Sequence, residues 1–153
     1  MRMLEDRWFE DYVPGSVHQF GSVVVEEKEI IDFGQRFDPQ PFHIDVQAAK
    51  KSAFQGLIAS GWHTSSMTMQ LIVKYYLSNA SSLGSPGIDE LRWLIPVRPG
   101  DELTVKITVL TARRSRSRPD RGIVHSKIET LNQNGDVVMQ LTASNFIRCC
   151  KPH

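Results

Sequence analysis

Asp38 and His43 stand five residues apart in the stretch Phe37-Asp38-Pro39-Gln40-Pro41-Phe42-His43-Ile44-Asp45. A carboxylate and an imidazole in fixed mutual geometry can take a proton at one group and give one at the other, which is what adding water to a double bond requires. Pro39 and Pro41 each lack an N–H and bias the residue before them toward extended backbone. The spacing therefore predicts a stiff, non-helical loop holding the pair, and leaves open which member is the acid and which the base. Downstream, Gly56-Leu57-Ile58-Ala59-Ser60-Gly61-Trp62 leads into a long apolar run. Gly61 is predicted to open a helix, where backbone N–H groups lack intrahelical partners and the dipole favours negative charge. An acid, an imidazole and a free helix N-terminus together read as a catalytic site. The plainer reading of Asp38 and His43 alone is a loop-stabilising pair.

The rest of the chain reads as the frame for that site. Val17 to Val25 is β-rich. Glu26-Glu27-Lys28-Glu29 is an acidic first turn, and Ile30, Phe33, Gly34 and Phe37 recur at one helical face, ending before Pro39. Asp45 is a plausible N-cap for a short helix over Val46 to Lys51. Gly61 to Asn79 has Lys74 as its single fixed charge and is predicted to form a helix of about 28 Å, apolar on every side and so central and buried. Polar residues from His63 to Gln70 interrupt its apolar run, which argues against a membrane span. His63 reads as a core histidine. Ser65 and Ser66 lack the Gly-x-Ser-x-Gly setting of a nucleophile.

After Gly84-Ser85-Pro86-Gly87 the period changes to two. Leu91, Trp93 and Ile95 give one strand, stopped by Pro96-Val97-Arg98-Pro99-Gly100-Asp101. Leu103, Val105, Ile107 and Val109 give another with one wet face. Val124 to Leu131 and Val137 to Ile147 flank Asn132-Gln133-Asn134-Gly135-Asp136, whose Asn-Gly is a hairpin signal. Helices followed by antiparallel strands make an α+β pattern, with a sheet that must cover the long helix.

The 153 residues fit one domain, 1–153, without repeats or a low-complexity linker. Apolar residues are 41% and charged residues 23%, which excludes a disordered chain. A net charge of +1 supplies no global field toward nucleic acid or an anionic membrane. The start, Met1 to Arg7, has no apolar core of a signal peptide, and adjacent Cys149 and Cys150 read as reduced thiols, so a cytoplasmic protein is expected.

From about Trp8 to Ile147 the sequence resembles the MaoC-like dehydratases and (R)-specific enoyl-CoA hydratases, a family with the hot-dog fold. The pattern is carried by Asp38, Gln40-Pro41, His43 and Asp45, joined by Phe54, Gly56, Ile58, Gly61 and the Pro96-to-Asp101 turn. The resemblance implies a curled antiparallel sheet around the long helix, paired into a homodimer or a dimer of dimers. It implies reversible hydration of an enoyl-CoA thioester, with coenzyme A as part of the substrate and no metal or redox cofactor. Asp38 and His43 would be the catalytic pair and the Gly61 N–H would bind the thioester oxygen, with Trp62 and Met69 as neighbouring substrate-binding positions. Gln40 replaces the family's usual Asn, Ser60 and Trp62 replace the His and Met common beside Gly61, and Met69 stands where some members have a serine. Hot-dog proteins also include acyl-CoA thioesterases and non-catalytic acyl-CoA-binding subunits, which remain the alternative readings.

Arg113 to Arg121 holds five arginines and one acid. Arginine grips phosphate through paired N–H bonds. Arg114, Arg116 and Arg118, on an expected exposed loop between strands ending near Thr111 and starting near Ile123, are therefore candidates for the nucleotide end of coenzyme A, in their own subunit or across a dimer. The plainer reading is a solvated loop.

Overall fold

The structure is a computed structural model, and it describes residues 7–150. Five strands form one antiparallel sheet in the order β1-β3-β4-β5-β2: β1 Val17–Val24, β2 Gly87–Trp93, β3 Glu102–Arg114, β4 Arg121–Leu131 and β5 Val137–Arg148. Among the described residues, four α-helices precede β2: α1 Glu27–Phe37, α2 Pro41–Ile44, α3 Val46–Lys50 and α4 Gly61–Tyr75. This is the α+β, single-sheet arrangement around a long helix that the sequence pattern predicts.

The alternation in β3 places Leu103, Val105, Ile107 and Val109 inside, and β4 and β5 add Val124, Ile128, Val138, Met139 and Leu141. Each such side chain removed from water contributes about 1.5–3 kcal/mol. They pack against α4 through Met67, Leu71 and Ile72. One polar contact crosses this core: Thr68 and Thr130 hydroxyls lie 2.7 Å apart, so neither is left unpaired. The β4–β5 hairpin turns as predicted. The Asn132 side chain accepts from the N–H groups of Asn134 and Asp136, and Gly135 takes the left-handed backbone at φ +79°.

Three expectations are corrected. First, α4 ends at Tyr75, not Asn79, because Tyr76 leaves helical geometry and turns its ring into the core against Tyr12 and Phe20. Second, α4 is not buried all round: its sheet-facing side is, while Trp62, Met69 and Val73 are exposed. Third, β3 and β4 run into the arginine segment, since Arg113 and Arg114 pair with Ile123 and Gly122. The loop is a short hairpin between Arg114 and Arg121. No described helix is long and apolar enough to cross a membrane.

Candidate active site

His43 sits on the single turn of α2, where the prolines had predicted a non-helical loop. The reason lies in Pro41, the first residue of that turn, where a missing N–H costs no bond and the fixed φ already suits a helix. Asp38 caps the end of α1 with its N–H bonded to the Gly34 carbonyl at 2.8 Å. Gly34 also sets how closely the two elements approach. A Cβ there would lie 2.9 Å from Ile44 Cγ2 and 3.0 Å from the His43 carbonyl oxygen, so only glycine lets α1 lie against α2 at this distance.

The imidazole is buried and held from behind. Its Nδ1 lies 2.7 Å from the Ile58 carbonyl oxygen, which can only accept, so Nδ1 carries the proton. Ile58 is fixed in turn by its N–H bond to the Phe42 carbonyl at 3.1 Å, and Ala59 by a 2.8 Å bond to Val97. Nε2 is thereby aimed at Asp38 Oδ2, 3.2 Å away.

Both oxygens of Asp38 are met by donors. The Gln40 side-chain amide donates to Oδ1 at 2.8 Å, and the Ser60 hydroxyl to Oδ2 at 2.8 Å. Burial pushes the Asp38 carboxyl up, but the bonds from Gln40 and Ser60 and the nearby His43 charge outweigh it, holding the group below its ordinary value. Ser60 is fully buried at 0% exposure and is the N-cap residue of α4, yet its hydroxyl caps no helix N–H. It turns to Asp38 instead and leaves the opening N–H groups of α4 for another partner.

Asp38 and His43 form the polar side of a cavity of about 500 Å³, whose other walls include Phe42, Gly61, Trp62 and Trp93. A few polar groups in a mostly apolar hollow are the usual make-up of a small-molecule site. Trp62, 57% exposed, stands edge-on to Trp93 with ring centroids 5.0 Å apart. The Trp93 indole lies over Gly61, where an added Cβ would come within 2.4 Å of its ring carbons.

The structure thus brings Asp38, His43, Gly61 and Trp62 to one cavity. It does not bring Met69 there. Met69 lies two turns along α4, about 12 Å from Gly61 at 1.5 Å per residue, on the exposed face. Nor does it bring the arginines. Arg114 donates to Glu10 at 2.9 Å and its Nη1 lies 3.1 Å from Cys149 Sγ, so its fork is already engaged. Arg116 and Arg118 are on the hairpin before β4, while cavity-lining Val138 lies by the other end of that strand. Ten residues of strand at about 3.3 Å each put roughly 30 Å between them. Sequence reasoning gave no site role to Ser60, which holds Asp38 from behind, or to Trp93, which lines the cavity. A serine directly before the predicted helix start was a usable signal. Trp93 was visible only as an alternating strand residue, because its contact with Gly61 joins β2 to α4.

The sequence pattern of the "MaoC like domain" matches residues 11–131. The chain belongs to the MaoC-like domain family. Asp38, His43 and Gly61 all fall within the matched span. Among solved structures, this MaoC-like domain is similar to the MaoC-like dehydratase from Rhodospirillum rubrum, at 43% identity and a TM-score of 0.85, covering 96% of this chain and 99% of that one. It shares the fold of the R-hydratase PhaJ1 from Pseudomonas aeruginosa at 21% identity and a TM-score of 0.74, covering 94% and 86%. It is also 29% identical over 139 residues to an uncharacterised Bacillus subtilis protein, YdeM, covering 91% of this chain and 97% of the relative.

Proposed function

We propose that the protein is a hydro-lyase that reversibly adds water to an enoyl-CoA or a related acyl thioester. The observation that supports this best is the pairing of His43 Nε2 with Asp38 Oδ2 at 3.2 Å on the wall of the cavity, with His43 Nδ1 already engaged by Ile58. The two groups can hold and exchange one proton at a single place. A thioester lying in the cavity with its carbonyl oxygen toward the start of α4 would present C3 to that pair.

In the forward direction the oxygen of water bonds to C3 and one of its protons passes to Asp38. The C2=C3 electron pair moves toward the thioester oxygen, which becomes enolate-like. C2 then takes the proton from Nε2 of a protonated His43, and the proton on Asp38 crosses to His43 and resets the pair. Dehydration is the same path reversed. The Gly61 N–H supports the charge that builds on the thioester oxygen, and donors in that role are typically worth about 10²–10³-fold in rate. Coenzyme A enters only as part of the substrate. We also infer at least a homodimer, because Ile88, Trp93, Leu94 and Ile95, along and just beyond β2, stay exposed at a sheet edge in one copy.

The test is a panel of enoyl-CoA thioesters followed together for loss of enoyl absorbance and for release of free thiol. Absorbance loss without thiol is the expected result. Thiol release would make the protein a thioesterase. Binding with neither change would make it a non-catalytic acyl-CoA-binding subunit.

A further inference from the structure

A second apolar pocket of about 120 Å³ lies farther along α4, and nothing above uses it. It is lined by Ser65, Met69 and Ile72 of α4, Ile88 of β2, and Leu141 and Ala143 of β5. The catalytic cavity uses neighbouring positions on the same elements: Gly61, Trp62 and Thr64 of α4, Val138 of β5 and, on antiparallel β2, Trp93. The two hollows are therefore successive along the helix and along the paired strands.

What lies between them is specific. Trp93 pairs with Met139 in the sheet. Its indole covers Gly61, and its Nε1 lies 3.4 Å from Ser65 Oγ. That hydroxyl also donates to the Gly61 carbonyl at 3.0 Å and lies 3.3 Å from Met139 Sδ. Trp93, which lines the catalytic cavity, and Ser65, which lines the second pocket, thus meet at Met139 and form a partition between the two hollows.

We propose that Trp93 sets the acyl-chain length of the substrate by closing the catalytic cavity off from this second pocket. The inference rests on the acyl-thioester reading of the site and names its substrate class: short acyl groups that stop at the indole. The second pocket is the space that opening the partition would add. A methylene takes about the volume of a water molecule, about 30 Å³, so 120 Å³ adds on the order of four carbons. The 3.4 Å contact to Ser65 is long for a hydrogen bond, so removing the ring forfeits no strong bond within the subunit.

The experiment compares the wild type with Trp93→Ala, and with Trp93→Phe as a partial opening. Two readouts are taken over four-, six-, eight- and ten-carbon chains: turnover of the enoyl-CoA thioesters, and calorimetric binding of the saturated acyl-CoA thioesters, which cannot react. The wild type is expected to fall off as the chain lengthens from four to ten carbons. Trp93→Ala is expected to raise the eight-to-four-carbon ratio about tenfold or more in both readouts, since each methylene placed in an apolar pocket is worth about tenfold or more. Trp93→Phe should fall between. Adding Ala143→Leu to Trp93→Ala refills the second pocket and should remove the gain. A wild type that takes ten carbons as well as four, or an unchanged ratio in Trp93→Ala, overturns the proposal, as does absence of binding in both proteins. If no enoyl thioester is turned over yet the binding ratios shift as stated, the hydro-lyase reading fails and the partition stands.

Discussion

At the α2–α4 end of the molecule, Asp38 receives Gln40 and Ser60 and faces His43, whose other nitrogen is tied to Ile58. At the far end of β4, Arg114 meets Glu10 at 2.9 Å and Arg121 meets Asp120 at 2.9 Å. The far end holds more formal charge. There each carboxylate is met by an arginine at the surface, Glu10 and Arg114 being about one-third exposed, and such pairs contribute about 0–1 kcal/mol. At the site end the polar groups are fixed from behind by buried backbone and side-chain partners, and the fixing leaves one proton position facing a cavity. Charge density alone does not mark a site; groups held with one valence open toward a hollow do.

The largest break in that comparison comes from removing the pair. Asp38→Asn and His43→Ala should each lower kcat by at least about 10²-fold on the best enoyl-CoA substrate, with the circular-dichroism spectrum unchanged. Either variant retaining near-wild-type turnover would remove Asp38 and His43 from the chemistry. The comparison also requires that Glu10→Gln, which removes the partner of Arg114 at the far end, leaves kcat where it was.

Much of this contrast was legible beforehand. The alternation of β3, the Asn-Gly turn, the acidic start of α1 and the Asp45 cap, whose side chain accepts from Gln47 and Ala48 N–H groups, depend on neighbours within a few residues. What was missed depends on distant partners. Pro41 was read for what it forbids upstream and not for the helical turn it starts downstream. The ends of β3 and β4 were set by cross-strand pairing of Arg113 and Arg114, residues that in isolation look like loop. Met69 was placed near the site by positional resemblance; eight residues along α4 from Gly61, it lines the second pocket and not the first. Ser60 reaches Asp38 across 22 residues of sequence; its place before the helix start marks the residue but not that partner.

Ser60 sharpens the comparison at intermediate size. Its hydroxyl supports the charged form of Asp38, so Ser60→Ala should move that carboxyl up toward its ordinary value. If ionised Asp38 accepts the water proton, the acid limb of kcat/KM shifts to higher pH, and kcat on the plateau falls about tenfold. The linkage has a definite sign. A carboxyl lowered in the fold adds stability above its unfolded pKa and loses it as pH falls through the folded value, so Ser60→Ala should narrow the stability difference between pH 7 and pH 3. A loss of activity with an unmoved acid limb would mean that Ser60 only packs the start of α4.

The smallest expected effect tests whether the arginine hairpin takes any part in binding. Roughly 30 Å of β4 separates it from its own cavity, and Arg114 is engaged by Glu10 and Cys149, so only Arg116 and Arg118 of a second copy remain to meet coenzyme A phosphates. We propose that contact as the one way the hairpin serves the site. Exposed contacts of this kind act on ground and transition states alike. Arg116→Ala/Arg118→Ala should therefore raise KM for the CoA thioester a few-fold with kcat unchanged, and leave the matching pantetheine thioester unaffected. The CoA-specific difference should shrink as salt rises toward 1 M, where screening reaches about 3 Å. A monomeric mass by light scattering with activity intact, or an unchanged preference for the CoA form, would return the hairpin to a solvated surface. The two ends of the sheet would then be separate in function as well as in distance, because a cation that nothing holds in place toward a ligand adds solubility and no recognition.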